Sequence, residues 1–138
     1  MKNWVITSDK EFVYKLGEFF IQITTMESIL EEIYYDFVSC KTCTTEFQDG
    51  TLGKKITILT KKIKLGSMGV ELKQILRWRN ALAHEVVNYD SDNGMISIKS
   101  ESRLDLDEYN ENISKLITNL YIFKLSLVKE GFRESITI

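Results

Sequence analysis

Residues 8–40 read SDKEFVYKLGEFFIQITTMESILEEIYYDFVSC. The apolar residues of this stretch alternate spacings of four and three without a break: Phe12, Leu16, Phe19, Ile23, Met26, Leu30, Ile33, Phe37 and Cys40. Such a stripe is typical of a bundle or coiled-coil helix, and Ser8 with Glu11 forms a capping box at its start. We predict one helix from Asp9 to about Cys40, roughly 45–50 Å long. That length indicates either an elongated bundle or packing against a second copy.

Three further helical patterns follow. The second helix places Leu52, Ile56, Leu59 and Ile63 inside, and residues 65–69 break it. The third runs from about Val70 to Val86, and the last from near Asp105 to Gly131. Between them, Asn93-Gly94 separates alternating residues 87–89 and 95–98, a strong hairpin signal. We predict an all-α fold: an elongated four-helix up-down bundle with a β-hairpin between the third and fourth helices, as one domain over residues 1–138.

Composition limits the class of protein. The chain has 138 residues, 43% hydrophobic and 28% charged, with no Pro, as expected for a packed globular domain with long helices. No apolar run approaches the roughly 20 residues that span a bilayer, and the N-terminus lacks the apolar core of a signal peptide. We therefore expect a cytoplasmic protein that does not enter the membrane.

The net charge of −2 hides an uneven distribution. Residues 54–79 contain eight basic side chains and one acid, Glu71, so that segment carries +7 and the remainder −9. A basic segment in an acidic protein is a candidate phosphate-binding face, although for any single lysine a solvated helix surface is the better interpretation. The basic residues that we select as RNA- or phosphate-binding candidates are Lys54, Lys55, Lys61, Lys62, Lys73 and Arg77.

The third helix carries the unusual side chains. At about 100° per residue, Arg79 lies in the middle of the apolar face, where a guanidinium is costly unless it is paired or opens onto a gap in the core. A structural interpretation pairs Arg79 with Glu18, Glu27 or Glu31 of the first helix. A second face carries Lys73, Arg77, Asn80 and His84, the only histidine in the chain. An imidazole beside cations and an amide is a better catalytic candidate than an isolated one.

The hexapeptide Arg79-Asn80-Ala81-Leu82-Ala83-His84 resembles the Arg-x4-6-His motif of HEPN domains, in its common Arg-Asn-x-x-x-His form. In that family the motif lies at the end of the third helix of a four-helix bundle, and the proteins typically dimerise. The resemblance implies a metal-independent endoribonuclease without a cofactor, acting as a toxin or in antiviral defence. It also implies an RNA substrate and an antitoxin or regulatory partner protein. HEPN toxins modified by a nucleotidyltransferase antitoxin often have Tyr two residues after the His, where this chain has Val86.

The chemistry assigns roles to the motif residues. Imidazole titrates near neutral pH, so His84 is the candidate acid or base. Arg79 is the candidate ligand of the phosphate and the transition state, and Asn80 is the orienting amide. Arg79 and His84 are about 140° apart on an ideal helix, so Arg77, which shares the His84 face, stays open as the main phosphate ligand. One His per chain favours a site built from two chains.

Two other readings of the motif stay open: a non-catalytic HEPN-like module that binds a nucleotide or RNA, and a protein-interaction subunit of a toxin–antitoxin or defence complex. We expect no metal site. Cys40 and Cys43 form a single C-x-x-C without a second pair. Asp90, Asp92 and Glu101 resemble the acids of a calcium loop, but Gly94 and Met95 do not fit its pattern.

Overall fold

A computed structural model describes residues 10–38, 44–84, 86–90, 95–98 and 104–130. The helices are α1 (Lys10–Ile33), a π-helical segment (Tyr34–Val38), α2 (Thr44–Gln48), α3 (Leu52–Lys62), α4 (Ser67–His84) and α5 (Leu106–Glu130). The strands are β1 (Val86–Asp90), β2 (Met95–Ile98) and β3 (Leu104–Asp105). Helices account for most of the described residues, so the all-α class is matched in part.

The predicted first helix, from Asp9 to about Cys40, is helical without a break over its described residues, Lys10 to Val38. Its α-helical part ends at Ile33, and the chain continues as the π-helical segment to Val38. The apolar stripe nevertheless faces the core, since Phe19, Met26 and Ile33 are fully buried. At about 1.5 Å per residue α1 is roughly 36 Å long, and the π-helical segment extends it further. Cys40 and Cys43 lie outside the described residues.

The up-down order is wrong for the first and last helices. At one end of α1, Lys15 binds Asp107 near the start of α5, with Nζ and Oδ2 3.0 Å apart. At the other end, Glu32 binds Lys124, again 92 residues further along the chain. Equal offsets at both ends mean that α1 and α5 run parallel, whereas the first and last helices of a four-helix up-down bundle run in opposite directions.

Polar groups at the α1–α5 contact satisfy one another. Asn110 is buried, and its Nδ2 donates to the carbonyl of Lys15 at 3.2 Å. Its Oδ1 and its own carbonyl both accept from Nε2 of Gln22 at 3.2 Å. A buried amide costs little only when it is bonded in this way, so these bonds fix the register between the two helices.

Helices α3 and α4 pack antiparallel across a short turn. Gly66 lies in that turn with φ +63, a conformation that suits glycine, and this lets α4 begin at Ser67, three residues before the predicted start. Near the other end, Gly53 approaches Leu76 so closely that a Cβ there would lie 3.2 Å from Cδ2 of Leu76. The close approach brings the start of α3 against the second half of α4.

The described residues contain five α-helices rather than the predicted four. The additional helix, α2, is short, and Phe47 anchors it by stacking on Tyr34, with centroids 3.9 Å apart and an interplanar angle of 4°. Both rings are fully buried. Stacking of this kind adds to the free energy of apolar burial. A five-residue helix has too short a pattern to be recognised in the sequence, where this stretch indicates only a break.

The segment between α4 and α5 also differs from the prediction of a two-stranded hairpin. It forms a three-stranded antiparallel sheet in the order β1-β2-β3. Strand β2 pairs with β1 on one edge and with β3 on the other, where Met95 faces Asp105 and Ile96 faces Leu104. The third strand leads directly into α5, so the sheet positions the start of that helix.

Aromatic rings join α4, α5 and α1. Trp78 stacks on Tyr109 with centroids 3.6 Å apart and an interplanar angle of 6°. Tyr109 contacts Phe19, whose ring meets Phe20 edge to face at 5.4 Å. This packing places the outer side of Phe20 next to the second half of α4, where the predicted motif lies.

Candidate functional site

The predicted motif occupies the C-terminal end of α4. Arg79 and Asn80 lie in its last two turns, and His84 is its final residue. Arg79 and His84 are therefore separated by about 7.5 Å of helix rise and about 140° of rotation. The side chain of His84 lies outside the described part of the structure, so its role stays a prediction.

Arg79 and Asn80 open onto a cavity of about 560 Å³ between α1, residues 50–53 and α4. The lining that matters for its chemistry comes from Phe20, Glu27, Thr51, Leu76, Arg79 and Asn80. The volume falls within the range usual for small-molecule pockets. The cavity combines one cation, one anion, an amide and a hydroxyl with apolar walls, so it can bind a ligand that has both polar and flat apolar surfaces.

Arg79 is half-buried and has few partners. Its Nη1 donates to Oδ1 of Asn80 at 3.0 Å, and within the described residues no carboxylate pairs with it. The structural interpretation predicted that Arg79 pairs with Glu18, Glu27 or Glu31 of α1, and none of these three pairs is present in the part of the chain that the structure describes. A guanidinium has five N–H donors, so most of its donor capacity is left for a ligand in the cavity.

Lys55 has the ion pairs that were expected for Arg79. Its Nζ lies 2.9 Å from Oε2 of Glu27 and 2.6 Å from Oε2 of Glu31, and its side chain is buried. Burial alone lowers the pKa of Lys55, but the hydrogen bonds from Glu31 and Glu27 outweigh it and the pKa is raised. A buried lysine held by two carboxylates is not available to a phosphate, so we remove Lys55 from the predicted RNA-binding set.

The other predicted basic residues are spread over three places. Lys54 is exposed beside Gly50 at the cavity rim, with Cβ and Cδ of its side chain near that glycine. Lys61 and Lys62 lie in the last turn of α3, about 10 Å or more along the helix from the cavity. Lys73 lines a separate depression at the α3–α4 turn, and Arg77 is exposed on α4. Of these five residues, Lys54 is the one that lies beside the lining of the cavity.

Glu27, Thr51 and Phe20 are site residues that the sequence did not predict. Thr51 caps α3, because its Oγ1 accepts from the backbone N–H of Lys54 at 3.2 Å. Glu27 was considered only as a partner for Arg79. The apolar pattern of α1 indicates only that Phe20 lies next to the core-facing stripe. The tertiary structure is needed to show that Phe20 and α4 line the same cavity.

The structure describes only some of the residues that were considered as metal ligands. In the described ranges there is no group of three or more His, Cys, Asp or Glu side chains that could hold a metal ion. Asp92 and Glu101, like the two cysteines, lie outside those ranges. Among the same residues, no helix is both long enough and apolar enough to cross a membrane.

Comparison with known proteins assigns no family. No protein-family model matches the chain, and no curated protein or solved structure matches it either.

Proposed function

We propose that this protein is a metal-independent endoribonuclease of the HEPN type, acting as a homodimer in a toxin or antiviral-defence role. The observation that carries the proposal is the environment of Arg79: a half-buried guanidinium that opens onto a cavity and has no carboxylate partner among the described residues. A phosphodiester in the cavity would supply the missing counter-charge through charge-assisted hydrogen bonds.

The proposed reaction uses the internal nucleophile of RNA. The 2′-oxygen forms a bond to phosphorus while the bond from phosphorus to the 5′-oxygen breaks, which leaves a 2′,3′-cyclic phosphate and a 5′-OH. One imidazole removes the 2′ proton, and a protonated imidazole gives a proton to the 5′-oxygen. Because each chain has one histidine, we assign these two roles to His84 of two chains. Arg79 stabilises the charge on phosphorus, and Asn80 orients it.

An exposed apolar stripe on α5 supports the proposed homodimer. Tyr121, Ile122, Leu125 and Val128 lie on the side of α5 away from the core and are between 48% and 64% exposed. An apolar stripe on a helix surface is typical of an interface. The same stripe supports a second candidate function, a non-catalytic subunit that binds an antitoxin or regulatory protein.

The test uses purified protein, RNA and excess EDTA. We expect cleavage by the wild type and its loss in both Arg79→Ala and His84→Ala. Lys115→Ala removes an exposed cation on α5 that does not line the cavity, and is the matched control that should cleave normally. Cleavage that survives in His84→Ala, or that requires added metal, contradicts the proposal. A folded wild type that binds RNA without cleaving it favours the binding module.

A further inference from the structure

Glu27 is an unexpected residue in a cavity proposed to bind phosphate. Glu27 lines the same cavity as Arg79, yet no ion pair joins the two among the described residues. A carboxylate repels a phosphate and only accepts hydrogen bonds. The presence of Glu27 is therefore explained better by a ligand that also has N–H donors than by a phosphate alone.

The ion pairs of Lys55 do not by themselves explain Glu27. Lys55 already has Glu31 at 2.6 Å, so one carboxylate would balance its charge, and two leave the cluster with a formal charge of −1. Only Oε2 of Glu27 has a partner within the described residues, and the side chain remains 31% exposed. Lys55 thus holds one oxygen of the carboxylate in place and leaves the other available as an acceptor.

We propose that the cavity binds a guanine base, and that Glu27 is the residue that selects it. Guanine alone among the RNA bases has two neighbouring N–H donors on one edge, at N1 and at the exocyclic N2, and these match the acceptor sites that a carboxylate offers. Phe20 and Leu76 supply apolar walls for a planar ring, and aromatic side chains commonly stack on unpaired bases. This inference rests on the proposed function, in which Arg79 binds the adjacent phosphate.

Nucleotide binding tests the inference without cleavage. In calorimetric titrations of the wild type, we expect guanosine 3′-monophosphate to bind about tenfold or more tightly than the adenosine, cytidine and uridine 3′-monophosphates. Inosine 3′-monophosphate lacks the exocyclic amino group, so it should bind several-fold more weakly than the guanosine nucleotide. Equal binding of all five nucleotides overturns the proposal, and this measurement requires no variant to fold.

Two variants separate base recognition from the ion pair. Both Glu27→Gln and Glu31→Gln remove one partner of Lys55, but only Glu27 lines the cavity. We expect Glu27→Gln to lose the preference for guanosine, because an amide places a donor against N–H groups, and Glu31→Gln to keep it. Equal losses in the two variants mean that Glu27 acts only through Lys55, which overturns the proposal.

Failure of this inference and failure of the proposed function give different results. Cleavage that depends on Arg79 and His84 but shows no preference for a guanosine next to the cut contradicts only the base recognition. Selective binding of guanosine 3′-monophosphate without any cleavage of RNA contradicts only the nuclease.

Discussion

Asn80 holds the guanidinium of Arg79: its Oδ1 accepts a hydrogen bond from Nη1 of Arg79 at 3.0 Å. The two residues are neighbours in the chain, and both side chains face the same cavity. The amide therefore orients the cation without neutralising it. Since a carboxylate in the same place would pair with the positive charge, the relationship predicts different effects for deleting the amide and for replacing it with a carboxylate.

Asn80→Ala should reduce cleavage by about tenfold, because Arg79 stays charged but loses its orienting acceptor. Asn80→Asp should reduce cleavage further, because an ion pair with Arg79 competes with the phosphate. Single-turnover cleavage rates of the two variants check the order. A faster rate for Asn80→Asp than for Asn80→Ala contradicts an anion-binding role for Arg79.

Arg79→Ala should separate function from stability. Since no carboxylate of the described residues pairs with Arg79, its removal should change the free energy of unfolding by about 1 kcal/mol or less. Cleavage should fall by about 100-fold or more, as expected when a group that stabilises the transition state is lost. Thermal melts and cleavage rates measure the two effects. A large drop in melting temperature would instead identify Arg79 as a structural residue, contrary to our proposal.

Lys55→Ala should destabilise the fold, because it leaves Glu27 and Glu31 as partly buried carboxylates without their cation. We expect a loss of about 2–3 kcal/mol, below the full value for a buried pair because both carboxylates are partly exposed. Lys54→Ala removes the neighbouring exposed lysine and should change stability by about 0.5 kcal/mol or less. Urea unfolding of the pair checks the contrast, and similar losses would show that the Lys55 cluster contributes little.

The pH dependence of this effect has a definite sign. The pKa of Lys55 is raised in the folded state, so its contribution to stability is fully present below the unfolded pKa of about 10.4. It is lost as the pH rises through the higher folded value. The stability difference between the wild type and Lys55→Ala should thus stay constant between about pH 8 and 10 and shrink only above that range. A difference that already falls between pH 8 and 9 contradicts the raised pKa.

The sequence predicts the helices much better than their arrangement. The stripe containing Phe19, Met26 and Ile33 identifies a core-facing helix because burial follows the helical period. The parallel direction of α1 and α5 depends on contacts between residues 92 positions apart, such as Lys15 with Asp107. No local pattern encodes such contacts. The prediction therefore assumes that successive helices joined by short connections alternate in direction.

The site was predicted in part for the same reason. Arg79 and Asn80 are adjacent, so a motif within one helix finds both. Glu27 and Thr51 reach the cavity from α1 and the start of α3, and sequence spacing relates neither to Arg79. Which cation pairs with the acids of α1 also depends on the tertiary structure. Helix α3 brings Lys55 to Glu27 and Glu31, whereas Arg79 lines the cavity.

Leu125→Glu tests the proposed homodimer. Leu125 is 61% exposed on α5, in the stripe proposed to meet a second chain, and a buried glutamate without a partner is costly at an interface. We expect a dimer for the wild type in sedimentation velocity and, for the variant, a dimer affinity lowered by about tenfold or more, with a parallel loss of cleavage. Val70→Glu places the same charge at a 70% exposed apolar residue of α4 and should remain dimeric. If both variants sediment as the wild type does, the second chain does not bind through α5, and the two histidines cannot be brought together by this face.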